Sequence, residues 1–150
     1  MIIKEISICN FRSYYGENKF EFSDGLTLII GDNGDGKTTF FEALQWLFNT
    51  ATENNSIHNA SEMRKSKLEI GESDEVAVRM VFDHDGEKIV EKSFTFERVS
   101  DSSFKTSSIT FRGYEETSSG REVVNGKTLM DRCFDAFIQR FSMFKGESTL

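Results

Sequence analysis

The stretch LTLIIGDNGDGKTTFFEALQWLF, residues 26–48, decides how this chain is expected to fold. A short apolar run comes first, a segment rich in glycine and charge follows, and a second apolar segment ends the stretch. Gly31, Gly36, Lys37 and Thr38 fit the pattern G-x-x-x-x-G-K-[ST] without a mismatch. This pattern is typical of a phosphate-binding loop that joins a strand to a helix.

The chemistry of phosphate binding explains these residue types. Glycines let backbone N–H groups approach phosphate oxygens, and the positive end of the following helix faces the same anion. Lys37 is expected to reach the β- and γ-phosphates of a nucleotide and to act as the catalytic lysine. The Thr38 hydroxyl is the predicted protein ligand of Mg²⁺.

Both flanks of the loop agree with this interpretation. Residues 26–30 are continuously apolar and β-rich, as a buried parallel strand requires. The residues after Lys37 contain no glycine or proline and predict a buried helix of about three turns. Trp46 on that helix is interpreted as core rather than as a platform for adenine. The alternative, a surface loop before a core helix, is disfavoured because a strand and a helix are both in place.

Composition limits the class of protein. The chain has 150 residues, enough for one domain with a sizeable core, and its 15 phenylalanines predict an aromatic-rich core. No apolar run approaches the roughly 20 residues of a membrane span, and the N-terminus does not resemble a signal peptide. We therefore expect a cytoplasmic location and no membrane partner. A net charge of −7 argues against a nucleic-acid footprint spread over the whole chain.

Other candidate sites are weak. Cys9 and Cys133 lie far apart and are expected to be reduced thiols, while His58 and His84 are isolated, so no metal site is expected from these residues. The basic run MRKSK, residues 63–67, is interpreted as solvated surface, with contact to a phosphate backbone as the alternative.

Hydrophobic patterning and turn-forming residues divide the chain into four segments. Residues 1–50 are predicted to hold a hairpin, the phosphate loop and its helix, and residues 51–73 a polar connector with at most one short helix. Residues 74–124 predict an antiparallel β-lobe, with strands at 74–82, 88–99 and 107–114, a tight turn at Asp85-Gly86, and a loop over 115–122. Residues 125–150 predict a helix over 125–141 and the start of another strand.

A second acidic site, which nucleotide hydrolysis requires, is not evident in the sequence. The run VRMVFD ends in Asp83 and superficially fits a strand that presents an acid to Mg²⁺. Its alternation of polar and apolar residues is unlike a buried parallel strand, so Asp83 is interpreted as a turn residue. The chain is therefore expected to be half of a site.

The chain resembles the N-terminal head segment of SMC-like and RecF-type ABC ATPases in the order of its predicted elements and motifs. These are, in order, a hairpin, NFRSY, a strand, GDNGDGKTT, an aromatic helix with EALQW, and an antiparallel β-lobe. That group includes chromosome-structure, double-strand-break-repair and bacterial defence ATPases. Its phosphate loop reads G-x-N-G-x-G-K-[ST], and its first strand often ends in N-F-[RK]-S; residues 31–38 and 10–13 match these motifs. The implied fold is α/β: the N-terminal half of a P-loop NTPase head of the ABC type, with an antiparallel β-lobe.

The resemblance also implies cofactors, partners and site residues. The cofactors are ATP and Mg²⁺. In such proteins a coiled coil follows, a C-terminal half returns to complete the head, and a second head, as in a homodimer, closes two ATP sites; DNA is expected to be a partner of the full-length protein. Arg12 and Ser13 would lie near the phosphates. The complete set of predicted nucleotide contacts is Arg12, Ser13, Gly31, Asn33, Gly34, Asp35, Gly36, Lys37, Thr38 and Thr39.

Two features remain open at the level of sequence. Lys145 stands where the family has a glutamine that senses Mg²⁺, so Lys145, Glu147 or Gln139 is the candidate for that position. Without its C-terminal half, the chain is expected to expose a sheet edge and the helix faces around Trp46 and Phe137.

Three functions are compatible with the phosphate loop. The favoured one is the ATP-binding half of an SMC-like ATPase head that couples ATP hydrolysis to DNA repair, chromosome maintenance or defence. A self-contained P-loop kinase or GTPase is disfavoured, because no arginine-bearing lid and no N-K-x-D base reader are present. A non-catalytic interaction domain with a vestigial site is disfavoured by the intact Lys37 and Thr38.

Overall fold

The structure is a computed structural model that describes residues 2–22, 34–49, 57–133 and 135, with side chains omitted at residues 34–37. The predicted parallel strand at residues 26–30 lies outside the described residues. The elements in chain order are β1 (Ile2–Cys9), β2 (Glu17–Glu21), α1 (Gly34–Phe48), a 3₁₀ turn (Ile57–Asn59), α2 (Glu62–Lys67), β3 (Ser73–Asp83), β4 (Glu87–Arg98), β5 (Phe104–Thr106), β6 (Thr110–Thr117), β7 (Gly120–Asn125) and α3 (Gly126–Arg132).

The described strands form one seven-stranded antiparallel sheet. Its order is β2-β1-β3-β4-β6-β7, and β5 pairs with β4 beside this path. The predicted N-terminal hairpin is confirmed, with Ile6 opposite Phe20. β1 also pairs with β3, where Ile6 lies opposite Met80. The hairpin and the antiparallel lobe therefore share backbone hydrogen bonds across one continuous sheet.

Alternation along β3 and β4 builds the core face of this sheet. On β3 the buried residues are Val76, Val78, Met80 and Phe82. On β4 every second side chain from Lys88 to Phe96 is buried, and this face includes Lys88 and Lys92. The predicted β3–β4 hairpin is confirmed. Two lysines on an otherwise apolar face need internal partners, because a buried cation is costly unless it is paired.

The tight turn of this hairpin has the expected chemistry. Asp85 and Gly86 both have positive φ, at 57° and 106°, which an Asp-Gly pair accommodates more easily than most residues. Asp83, interpreted as a turn residue, is instead the last residue of β3 and pairs with Glu87. The turn therefore starts one residue later than the sequence interpretation placed it.

The interpretation of residues 115–122 as a loop is wrong. β6 continues to Thr117, and β7 begins at Gly120, so only two residues separate the strands. β7 lies at the end of the sheet order and is exposed along most of its length. A strand that is exposed on both faces has no hydrophobic alternation to reveal it. The three-residue β5 was missed because it is too short to show a period.

Helix α1 packs its aromatic face onto the sheet. Trp46 is 6% exposed, and its ring centroid lies 5.8 Å from that of Phe11 and 6.0 Å from that of Phe94. The interpretation of Trp46 as core is confirmed. The expectation of an uncovered helix face around Trp46 is wrong, because β4 covers it from within the chain. Phe137 lies outside the described residues.

Two shorter helices follow the sequence expectations. The described part of the connector contains the short helix α2, capped by Ser61, whose hydroxyl accepts the Arg64 N–H at 3.2 Å. Asn125 ends β7 and caps α3 through the Thr128 N–H at 3.0 Å. The predicted helix from residue 125 is confirmed over Gly126–Arg132, and most of its remainder lies outside the described residues.

Cys9 and Cys133 are free thiols, as predicted. Burial, followed by the nearby Asp74 and Glu75 carboxylates, raises the pKa of Cys9 to about 11. Cys9 is therefore a protonated thiol at neutral pH. No helix among the described residues is both long and apolar enough to cross a membrane.

Candidate functional site

The glycine-lysine-threonine segment opens helix α1. Gly34, Asp35, Gly36 and Lys37 form the first turn, so the helix begins inside the motif rather than after it. Gly31 and Asn33 lie outside the described residues, and the structure gives only the backbone at residues 34–37. Helical N–H groups in a first turn lack intrahelical acceptors, which is why such a turn suits an anion.

The two threonines of the motif lie in different environments. Thr38 is exposed, whereas Thr39 is 8% exposed. The Ser13 hydroxyl donates to Thr39 Oγ1 at 2.9 Å. The structure thus brings Ser13, from the turn after β1, into direct contact with the second threonine of the motif.

The turn after β1 has an unusual backbone that is held in several places. Asn10 and Arg12 have positive φ, at 52° and 50°, which is uncommon for residues other than glycine. Asn10 is 2% exposed, donates from Nδ2 to Glu75 O at 3.0 Å, and accepts the Gly16 N–H on Oδ1 at 2.9 Å. Its own carbonyl accepts the Ser61 N–H at 2.9 Å. These bonds fix a conformation that would otherwise be unfavourable, as is common at binding sites.

Arg12 is held by two partners from different parts of the chain. Its Nε and Nη2 atoms donate to Asn59 Oδ1 at 3.1 and 3.0 Å, and Nη1 pairs with the Glu42 carboxylate on α1. The Arg12 backbone N–H also donates to Asn59 O at 2.8 Å. The side chains of Arg12 and Glu42 remain about one-third exposed, at 33% and 34%. Arg12 is therefore oriented by protein groups but still accessible to a ligand.

An open pocket of about 860 Å³ lies against this turn. Its lining includes Arg12, Ser13, Tyr15, His58, Ser61 and Met63. The volume lies within the range typical of small-molecule sites. Because Ser13 also contacts Thr39, the pocket adjoins the helix that carries the motif.

Asn10, Glu42 and Asn59 were not identified from the sequence. Glu42 lies on the motif helix, three residues after Thr39, which is a spacing that brings side chains onto one helix face. That spacing was the available signal for Glu42. Asn59 lies in the weakly patterned connector, and only the folded chain brings it to Arg12.

The basic run at residues 63–67 is bonded within the chain. Arg64 donates from Nε to Asp74 Oδ2 at 2.5 Å, and the buried Lys65 pairs with Glu62 at 2.6 Å. The Lys67 ammonium lies 4.8 Å from the centre of the Tyr15 ring. The interpretation as solvated surface is wrong for Lys65, which is only 8% exposed. The candidates for the glutamine position, Gln139, Lys145 and Glu147, lie outside the described residues.

The Arg64–Asp74 pair perturbs a titratable group. Burial alone would raise the pKa of Asp74, but the hydrogen bonds from Arg64 and from the Glu75 N–H outweigh it, and the net effect is a lowered pKa. Among the residues that the structure describes, no group of three or more His, Cys, Asp or Glu side chains is arranged to hold a metal ion.

Comparison with known proteins gives the family. The family model for the AAA domain matches residues 5–148, nearly the entire chain. The chain belongs to the AAA domain family. Its relatives named Smc, RecF and Rad50 assign it to the SMC- and RecF-type ABC ATPases within that family, and the resemblance inferred from the sequence is confirmed.

Three of the relatives show how the similarity is distributed. The chain is 29% identical to the DNA replication and repair protein RecF of Leptospira interrogans serovar Lai, over 100% of the chain and 42% of that protein. It is 33% identical to the chromosome partition protein Smc of Rhodopirellula baltica, over 31% of the chain and 4% of that protein. It is 44% identical to the DNA double-strand break repair Rad50 ATPase of Methanococcus maripaludis, over 37% of the chain and 5% of that protein. The chain thus spans less than half the length of each of these relatives.

The comparisons also bear on the predicted fold class. Membership of the AAA domain family indicates a P-loop NTPase, and the described elements form an α/β structure with an antiparallel sheet. The α/β class and the antiparallel lobe are therefore confirmed at this level. The specific features of an ABC-type head remain a proposal.

Proposed function

We propose that this chain is the ATP-binding N-terminal half of an SMC-like ATPase head of the ABC type. The observation that carries the proposal is the contact between the turn after β1 and the motif helix. Ser13 bonds to Thr39, Arg12 pairs with Glu42, and a pocket of about 860 Å³ opens beside both. Residues of the first motif thus contact Thr39 and Glu42, which follow the phosphate-loop motif on α1.

The residues present suit a nucleoside triphosphate with Mg²⁺. The first turn of α1, Lys37 and Arg12 provide donors and positive charge for the phosphates, and the exposed Thr38 hydroxyl is the proposed protein ligand of the metal. The pocket lined by Tyr15 and Met63 would take the nucleoside end. Bound Mg²⁺ would neutralise charge on the β- and γ-phosphates. From the phosphate-loop motif of the sequence, we also propose contacts from Gly31, Asn33, Gly34, Asp35 and Gly36.

The remaining parts of the proposal come from the relatives. Their printed names concern chromosome partition, DNA replication and repair, and DNA double-strand break repair. We propose that the full-length protein performs DNA-associated work of this kind, with a C-terminal half and a second head completing the site. Among the described elements, the exposed edge strand β7 is where added structure would join.

The proposal predicts ATP binding without efficient turnover. We expect the isolated chain to bind Mg·ATP weakly and to hydrolyse it slowly or not at all, because general base and signature groups would come from elsewhere. Co-expression with the C-terminal half of the natural protein should create turnover and raise the melting temperature. Steady-state phosphate release and thermal unfolding measure both. Robust turnover by the isolated chain, after removal of contaminating ATPases, would contradict the half-site proposal.

A further inference from the structure

We infer that Asn59 is a positioning residue for Arg12, and that it sets the direction from which Arg12 can bind a phosphate. This inference rests on the proposed function, because it assumes that an anionic nucleotide occupies the pocket. Asn59 lies in the 3₁₀ turn between α1 and α2, 47 residues from Arg12 in sequence.

Asn59 holds Arg12 through both backbone and side chain. Asn59 O accepts the Arg12 N–H at 2.8 Å, next to the β-bridge between Phe11 and Ala60. Asn59 Oδ1 accepts from Nε and Nη2 of the same arginine at 3.1 and 3.0 Å. One residue thus stabilises the positive φ of Arg12 and the plane of its guanidinium group. Asn59 is 8% exposed, so these bonds are largely shielded from water.

The donor count shows what this arrangement leaves for a ligand. A guanidinium group has five N–H donors in a fixed plane. Asn59 takes one from Nε and one from Nη2, and Glu42 takes one from Nη1. Among the described contacts, one N–H on each terminal nitrogen remains. Because the Nε hydrogen and the adjacent Nη2 hydrogen face Asn59, the remaining Nη2 N–H points away from the arginine stem, where it can donate to a phosphate oxygen.

A lysine in place of Arg12 could not bind Asn59 in the same way. Its ammonium group is a single point of charge without the Nε donor, so it cannot share Asn59 Oδ1 through two nitrogens. Asn59 would therefore select the guanidinium and determine its orientation, while the charge alone would remain in a lysine variant. This difference separates positioning from simple attraction between charges.

A double-mutant cycle on the purified chain tests the inference. The dissociation constant for Mg·ATP is measured by calorimetry or by NMR titration for wild type, Asn59→Ala, Arg12→Ala and the double variant. We expect Asn59→Ala to weaken binding by about tenfold when Arg12 is present, because a charged hydrogen-bonding group loses its orientation. In the Arg12→Ala background the same change should alter binding less than about twofold, because the two effects act through one group.

Two further variants guard against a change in folding. Asn125→Ala removes a different asparagine side chain, which accepts the Thr128 backbone N–H at the start of α3, and should leave nucleotide affinity unchanged. Arg12→Lys leaves Asn59 intact and keeps the charge, and should lose nearly as much affinity as Arg12→Ala. If Asn59→Ala fails to fold, Arg12→Lys alone decides the question.

Each outcome has a distinct meaning. Equal losses from Asn59→Ala in both backgrounds, or full affinity in Arg12→Lys, would overturn the inference while nucleotide binding stands. Wild-type affinity in Arg12→Ala would also overturn it and would remove Arg12 from the site. A wild-type chain that binds no Mg·ATP would overturn the proposed function itself.

Discussion

The two ends of helix α1 are held by different kinds of contact. In its first half and at its middle, the partners are partly exposed polar side chains, with Ser13 bonded to Thr39 near the start and Arg12 paired with Glu42 midway along the helix. At its end, the buried Lys92 donates from Nζ to Trp46 O and Asn49 O, both at 2.8 Å. The same ammonium lies 4.8 Å from the centre of the Trp46 ring, and Lys92 is only 3% exposed.

The helix dipole explains why this difference is useful. Carbonyl groups without helical partners make the C-terminal end of a helix partly negative, and a cation there is stabilising. The internal Lys92 ammonium at this end fixes the helix against β4. The opposite, partly positive end has accessible and exchangeable partners, as a site for an anion requires. We therefore expect substitutions at the C-terminal end to affect stability and those at the start to affect binding.

The largest predicted effect on stability is that of Lys92→Met. The variant keeps an unbranched side chain but removes the charged donor of the buried bond to Trp46 O and of the partly buried bond to Asn49 O, and it should lower the free energy of unfolding by about 2–3 kcal/mol. Urea unfolding followed by Trp46 fluorescence measures this change.

The control for this variant is Lys105→Met, which removes an exposed ion pair with Glu97 at 3.7 Å. It should change stability by less than about 0.5 kcal/mol. Affinity for Mg·ATP, scaled to the folded fraction, should be unchanged in Lys92→Met. A loss of affinity in folded Lys92→Met would contradict the proposal that the C-terminal end of α1 affects stability alone.

A smaller effect is expected from Ser13→Ala at the start of the helix. Loss of the bond to Thr39 should cost about 1 kcal/mol of stability and weaken Mg·ATP binding severalfold. Melting temperature and nucleotide titration measure the two quantities on the same sample. Ser7→Ala, in the middle of β1 and away from the motif helix, is the matched control. Weakened binding in that control as well would show that the effect is not specific to the Ser13–Thr39 contact.

The smallest predicted effect concerns Arg64 and Asp74, which fix α2 beside the pocket. Because the pKa of Asp74 is lowered in the folded state, its contribution to stability is complete above the ordinary value of 3.8 and is lost as pH falls through the lower folded value. The cost of Asp74→Asn should be below about 1 kcal/mol near neutral pH, because the pair is partly exposed. Unfolding free energies measured from about pH 7 to about pH 3 should converge for wild type and variant. A gap that widens towards low pH would contradict this sign.

The sequence was most informative where one buried face makes apolar residues recur at regular intervals along a strand or helix. The alternating pattern of residues 74–82 and 88–99 predicted the β3–β4 hairpin, and the glycine motif predicted where α1 begins to within a few residues. The edge strand β7 was missed because neither of its faces is buried. The joining of hairpin and lobe through β1 and β3 depends on pairing between residues about 70 positions apart, which local patterns do not encode.

The same distinction applies to the candidate site. Arg12, Ser13 and Thr39 were predicted from short motifs, and the structure brings Ser13 to Thr39. The sequence did not predict that Asn59 bonds to Arg12 or that Lys92 bonds to the end of α1, because each contact joins residues more than 40 positions apart. Lys92 lies on the buried face of β4, and only the fold shows the helix end that it contacts.

Titration of Lys37→Ala with Mg·ATP tests whether the segment that opens α1 binds the phosphates of ATP. Lys127→Ala, which changes an exposed lysine on α3, is the control. We expect saturable binding by wild type and Lys127→Ala, no detectable binding by Lys37→Ala, and a melting temperature without nucleotide that is unchanged in Lys37→Ala. Undiminished binding by Lys37→Ala would contradict the claim, and a large drop in its melting temperature without nucleotide would show that Lys37 is structural instead.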